Sequence, residues 1–379
     1  MGKQLYMKIN NNPSILFFGS NNGSIMTSWP KYHINDELEL HKCRIYDINL
    51  TEYSNIDEAN KHLLEFIGRN QVDLFVTSFN EKTLQINTLN TIKNMGVKTL
   101  LFCPDNLVIP YVHKNIAKYF DLVWLTSIET KYYFDKHGAN TIYMPYAANP
   151  YMKYEIKSNT EGVCFIGTPY GSRANIINEL TNNDINVYCT CKTNTGISNN
   201  GGNKNSLINK LCNIFQHVRF TQGRKLIIGS LINRYIYKTK LNDNKFLHNI
   251  QTVEITRLYE KYSFYSLCFS STTAGHTGVL REPLLICNLR SFEIPMSGGV
   301  LFAQYNPELD SYFKDGVEAI YYYNKKDMIE KAKYYLDPIH RDELLKIKHN
   351  ARKKAEKYHS WWVRYKKIFD LLSIEYIDN

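Results

Sequence analysis

Short apolar runs alternate with amphipathic stretches from the start of the chain, and this alternation narrows the choice to strand-helix units building parallel sheets. SILFFGS (14–20), RIYDINL (44–50), VDLFVTS (72–78), VKTLLFC (97–103), DLVWLTS (121–127) and NTIYMPY (140–146) are predicted strands. Between them, IDEANKHLLEFIGRN, EKTLQINTLNTIKNMG and SIETKYYFDKHG carry apolar residues at helical spacing, and two of the three end in or near glycine, a common helix stop. A linker rich in Asn, Pro and Lys covers 147–161. GVCFIGT (162–168) then repeats the opening form of a strand running into glycine. INVYCT (185–190), a helix EITRLYEKY (254–262), FYSLCFSST (264–272), VLFAQY (300–305) and AIYYY (319–323) extend a second sheet, and 325–372 reads as mostly helix. A chain of 379 residues exceeds what one core usually serves. The expectation is an α/β fold of two doubly wound, Rossmann-like domains facing across a cleft. The expected bounds are 1–150 for the first domain, 151–358 for the second and 359–379 for a closing helix. Ligands of such sheets bind beyond the carboxyl ends of the strands, so functional residues are sought in those loops.

Charge adds a second constraint. The formal net charge is +10, which favours anionic partners. Within 193–250 stand Lys204, Lys210, Arg219, Arg224, Lys225, Arg234, Lys238, Lys240 and Lys245 with Asp243 as the only acid, a net +8 in one insertion. Apolar groups in LINKLCNIF and KLIIGSLINRYIYKTKL accompany them. Basic amphipathic helices at an acidic membrane surface fit this mixture, and so does a solvated insertion whose apolar side packs on its own domain. Basic grooves also bind nucleic acid. A hydrophobic content of 44% with 22% charged residues excludes disorder as the main state. No apolar run is long enough to span a bilayer and no signal peptide is read at the start, so the expected location is cytoplasmic. The eight cysteines lie mostly in apolar runs and read as buried hydrophobes. Only Cys189 and Cys191 are close-set, so no metal site is expected.

The most informative stretch is Arg290-Ser-Phe-Glu293-Ile-Pro-Met-Ser297-Gly298-Gly299, running into VLFAQY. Together with Asp315-Gly-Val-Glu-Ala before a strand and the terminal KYHSWWVRYKKIFD, it resembles the CgeB-like glycosyltransferases (spore maturation protein CgeB and relatives, group 1), across most of 72–372. The resemblance implies the two-domain GT-B fold, with the acceptor side in 1–150, the donor in 151–358 and the closing helix packed back on the first domain. It also implies transfer of a sugar from a nucleotide-diphosphate donor, here expected to be UDP-linked, onto a glycan or lipid-linked acceptor. Protein, small-molecule or DNA-base acceptors remain open, as does a non-catalytic polyanion binder on the same scaffold. In similar enzymes the carboxylate at the Glu293 position accepts from the ribose hydroxyls. Gly298 and Gly299 either let the backbone approach the donor or form a plain helix cap. The resemblance also makes Asp105, just past a strand end, the first choice for the base or acceptor-orienting group, with a turn or capping role as the rival.

Position supplies the remaining candidates. Gly167-Thr-Pro-Tyr-Gly171-Ser-Arg173 lies between a strand and a helix, where amides and an arginine attract diphosphate and Ser172 is a candidate N-cap. His276 follows the strand FYSLCFSS and either contacts the donor or is a solvated loop residue. Arg281 or Arg290 would offset the departing diphosphate's charge. Gly19-Ser20 is a candidate lining of the acceptor side. No Asp-x-Asp triplet occurs, so a metal-independent reaction with no cofactor is expected. Eight residues before Glu293 stands a leucine, Leu285, in place of the first glutamate of the E-x7-E motif of many retaining enzymes. The stereochemical course is therefore open.

Overall fold

A computed structural model describes residues 12–22, 25–151, 154–158, 161–167, 169, 171–189, 214–237 and 255–378. Much of the basic insertion, including Lys204, Lys210, Lys238, Lys240 and Lys245, lies outside the described residues, as do Cys191, Thr168 and Tyr170. The chain divides into two compact units. The first comprises Met1–Asn106, Pro110–Pro145 and Ser360–Asn379, and the second Leu107–Ile109 and Tyr146–His359.

Unit 1 is built on six strands: β1 (Ser14–Gly19), β2 (Arg44–Asn49), β3 (Leu74–Thr77), β4 (Lys98–Cys103), β5 (Leu122–Leu125) and β6 (Thr141–Tyr143). They pair in the order β2-β1-β3-β4-β5-β6, every pairing parallel. Every residue of β3 and β5 is buried, as expected of strands covered on both faces and legible as unbroken apolar runs. The helix Ile56–Arg69 turns Ala59, Leu63 and Ile67 into the core. Asn55 caps it by accepting from Glu58 N–H at 2.9 Å. Gly96 (φ 83°) and Gly138 (φ 80°) take the left-handed conformation just past the helices Ile86–Asn94 and Lys131–Lys136, where only glycine is free of Cβ strain. The first of these helices starts at Ile86, later than the stretch from Glu81 implied.

Unit 2 repeats the winding with β7 (Val163–Phe165), β8 (Val187–Cys189), β9 (Leu267–Ser270), β10 (Leu301–Gln304) and β11 (Ala319–Tyr322), in the order β11-β10-β9-β7-β8 and again parallel. In each unit the first strand lies between the second and the third, so the strand order reverses beside it. Val163, Phe165, Leu267, Phe269 and Phe302 form the centre of the second core. Of the tyrosine run, Tyr321 and Tyr322 are buried while Tyr323 is exposed.

Two expectations need correcting. The stretch 147–161 is not a free linker: Ala147, Ala148 and Asn149 are buried. Backbone carbonyls of Tyr154 and Lys157 accept from Arg352 Nη1 at 2.7 Å and Lys348 Nζ at 3.0 Å, both on the helix Arg341–Tyr358. Residues 25–40, given no element from sequence, are helical throughout, with a widened π turn, Lys31–Asn35, directly after Pro30. Proline removes a helical hydrogen bond at that point, and a π turn is one way to absorb the defect. The helix Trp361–Leu372 is part of unit 1. Trp361 is fully buried, its ring 5.7 Å from that of Trp124.

Candidate active site

The reversal of strand order in unit 2 falls between β7 and β9, and ligands of doubly wound sheets bind at such a switch point. The two loops that leave these strands are locked together by glycines. Gly171 (φ 61°) is the N-cap of the helix Ser172–Asn182. A Cβ there would lie 2.8 Å from His276 Nδ1 and 3.2 Å from Gly275 O, in the loop after β9. Gly278 is pressed equally closely on Ser172, where a Cβ would meet Oγ at 2.5 Å. Only residues without side chains permit this approach. The N-cap position is taken by Gly171, not Ser172, which is the first residue of the helix and whose Oγ is 3.3 Å from Thr273 Oγ1.

Arginine charge gathers at the same place. The Arg290 guanidinium lies over the Phe165 ring at 5.1 Å and occupies the space a Gly167 side chain would need. Gly167 itself has φ 142°. Burial first, and second the charge of Arg173 in the first turn of the helix after Gly171, hold His276 below the usual histidine range, so the imidazole is neutral near pH 7. Arg281 is exposed.

Glu293 is 6% exposed and accepts a hydrogen bond of 2.5 Å from Tyr259 Oη. Burial first and the Glu293 charge second push the Tyr259 hydroxyl well above its ordinary pKa, with Arg290 opposing, so it stays a donor to the carboxylate. Glu293 stands one turn after Arg290 in the helix Arg290–Met296. One helix therefore carries both charges, while Phe165 and Tyr259 come from distant elements. Neither partner has a local sequence signal.

Ser297, Gly298 and Gly299 form the end of that helix. Gly298 (φ 80°) donates to Pro295 O at 3.0 Å and Gly299 to Ile294 O at 2.9 Å, the paired bonds of a Schellman cap. A Cβ on Gly299 would lie 2.8 Å from Tyr262 O and 3.0 Å from Cys268 Sγ. Gly298 and Gly299 thus form a helix cap, one of the two roles open to them, and the close approach they allow on this side is to the protein's own interior.

In unit 1, Asp105 is exposed in the turn after β4 with φ 51°, a conformation that aspartate tolerates better than most residues. Its neighbour Asn106 is buried, and Oδ1 accepts from Thr126 N–H at 2.7 Å and Ser127 N–H at 3.0 Å. That bracket ties the β4 loop to the β5 loop. Gly19 has no atom within 4 Å of a notional Cβ, and Ser20 is exposed. In unit 2 the structure sets Arg290 against Gly167 and one turn before Glu293, and sets His276 against Gly171 with the Arg173 charge acting on it; Asp105 belongs to unit 1. Among the described residues no group of three or more His, Cys, Asp or Glu could hold a metal ion.

Comparison with known proteins addresses the fold. Residues 210–370 match a family described as glycosyl transferase-like. No curated protein matches the chain. A glycosyltransferase from Rickettsia africae ESF-5 superposes with a TM-score of 0.58 at 11% identity, over 96% of this chain and 98% of that one. HepE of Anabaena, solved in complex with UDP and glucose, gives 0.55 at 11% identity over 95% and 99%. A sucrose-phosphate synthase from Thermosynechococcus elongatus gives 0.55 at 11% identity over 95% and 99%. The fold is that of the GT-B glycosyltransferases, two Rossmann-like domains.

Proposed function

We propose that the chain is a glycosyltransferase of CgeB-like type. It binds a nucleotide-diphosphate sugar, UDP-linked, on unit 2 and passes the sugar to a glycan or lipid-linked acceptor. The observation that carries this reading is the convergence at the β7/β9 switch point. The amide-bearing helix start after Gly171, Arg173 and neutral His276 lie there, and Arg290, one turn before Glu293, reaches Gly167 in the same loop after β7. Each has a task that the donor's chemistry sets. Two arginines and helix amides match a diphosphate, and they stabilise the charge that grows as the sugar–phosphate bond breaks. A carboxylate matches a ribose diol, and the Tyr259 hydroxyl fixes one of its oxygens in place. In this reading Asp105 serves the acceptor hydroxyl, and charge on the leaving group is met without a metal. HepE, which binds UDP and glucose, shares the fold and so supports the choice of UDP.

The test is calorimetric titration with UDP and other nucleoside diphosphates, followed by turnover of the matching donor with and without EDTA. UDP should bind selectively, and Glu293→Ala or Arg290→Ala should weaken it about tenfold or more, the loss expected for one charged hydrogen bond. Turnover should persist in EDTA. Unchanged UDP affinity in both variants would place the donor elsewhere.

A further inference from the structure

We propose that residues 214–237 form a docking face for an anionic lipid bilayer. The described part of the basic insertion consists of a helical turn at 214–218, the helix Thr221–Ile232 and a π turn, Asn233–Tyr237. Exposed large hydrophobic side chains are scattered over most of the described chain, and single ones need no explanation. Here they cluster. Eight of the 21 such residues fall within these 24 positions, among them Phe215 at 62%, Leu231 at 51% and Ile236 at 70% exposure. Arg224, Ile228, Leu231 and Tyr235 follow one another at intervals of four, three and four, so they share one helical face, and all are exposed.

The opposite face of the same helix is taken. A Cβ on Gly229 would lie 2.7 Å from His276 O, and Leu226 Cδ2 lies 3.2 Å from the corresponding position on Gly275. Lys225 Nζ donates to Glu282 O at 3.0 Å. Among the described residues the helix thus carries apolar side chains on both sides with only one side covered, although a helix apolar all round is normally buried.

Charge selects the occupant. Arg219, Arg224 and Arg234 are exposed on this segment, which contains no acidic residue. A second copy of the same face would bring like charges together with nothing to pair them. Nucleic acid would use the arginines but leave Ile228, Leu231 and Ile236 in water. An anionic bilayer takes both, phosphate against arginine and acyl chain against the aliphatic side chains. Docking holds the His276 loop about 10 Å, one helix diameter, from the lipid surface. This suits a lipid-linked acceptor, a consequence that rests on the transferase reading while the docking itself does not.

The experiment is co-sedimentation of the full chain with vesicles of phosphatidylglycerol and phosphatidylcholine in equal parts, with pure phosphatidylcholine vesicles, and with duplex DNA as competitor. Binding to the anionic vesicles alone is expected. Arg219→Gln or Arg234→Gln should each weaken it about fivefold, the worth of one basic residue near such a surface. The double variant Leu231→Glu/Ile236→Glu should abolish it while leaving far-ultraviolet circular dichroism unchanged. No sedimentation with anionic vesicles, equal binding by the double variant, or DNA binding that the double variant retains would each overturn the proposal. UDP titration of the same variants separates the two readings. Loss of vesicle binding with UDP affinity intact concerns only the docking face, and vesicle binding without UDP affinity refutes only the donor site.

Discussion

At the scale of single residues, the donor-site reading has a consequence for pH. His276 is held neutral by burial and by Arg173. A diphosphate bound beside it would reverse that balance, because an anion favours the imidazolium. The histidine's pKa is then higher in the complex than in the free protein, binding takes up protons, and affinity must rise as pH falls. UDP should therefore bind several-fold more tightly at about pH 6 than at about pH 7.5, beyond any change due to titration of UDP itself. His276→Gln should flatten the difference, leaving only the ligand's own titration. Equal pH slopes in the two proteins, measured by calorimetry, would remove His276 from the diphosphate site. Little of this was legible beforehand. Arg290 and Glu293 stood out because they fall within four residues of sequence, the Arg-x-Phe-Glu stretch that carries the resemblance, but His276, Gly171 and Arg173 become one feature only when β7 and β9 pair. Tyr259 and Phe165 carried no sign at all, since hydrogen bonding to Glu293 and stacking under Arg290 are tertiary events.

At the scale of elements, the helix Trp361–Leu372 depends on a buried acid far away in sequence. Glu37 is fully buried and accepts from the N–H groups of Trp361 at 3.0 Å and Trp362 at 3.1 Å, two donors that a helix start leaves unsatisfied. Ser360, the N-cap of this helix, accepts from Val363 N–H in the same first turn at 3.2 Å. Burial outweighs these bonds and the nearby Arg364 charge, pushing Glu37 from its ordinary 4.5 up to about 8. The folded state thus holds a proton that the unfolded chain releases above its ordinary pKa. Stability from this group is complete below about pH 4.5 and declines as pH rises toward about 8. Thermal melting from pH 5 to pH 8 should show a falling midpoint that Glu37→Gln makes flatter. The same variant should cost about 1–3 kcal/mol at pH 5, because an amide nitrogen must face one of the two N–H donors. A slope unchanged in the variant would mean that Glu37 is ionised in the fold. Strands were the legible elements: unbroken apolar runs such as LVWL and LLFC admit few alternatives. The helical segment 25–40 was not, because its turns are organised around Pro30 and the Glu37 contacts rather than by a periodic apolar face.

At the scale of the whole molecule, chain order and spatial order disagree at the end. Unit 1 opens the chain and is completed only by its last twenty residues. Phe102, Trp124, Trp361 and Tyr365 pack together there, with Trp124 5.7 Å from Trp361 and 6.1 Å from Tyr365. The doubly wound pattern was readable because each strand-helix unit is local. The return of the last helix has no local signal beyond its apolar face, and its partners are set by β4 and β5. All four tryptophans, Trp29, Trp124, Trp361 and Trp362, lie in unit 1, so indole fluorescence reports on that unit alone. Trp361→Ala removes a fully buried ring and should cost about 3–5 kcal/mol. The fluorescence midpoint should fall by several degrees, and Trp124 emission should shift to the red as its neighbour is lost. UDP affinity, measured well below that midpoint, should be kept, since the contacts proposed for it all belong to unit 2. A fluorescence midpoint equal to that of the unaltered protein would show that the terminal helix contributes nothing to the stability of unit 1, in conflict with the packing around Trp124.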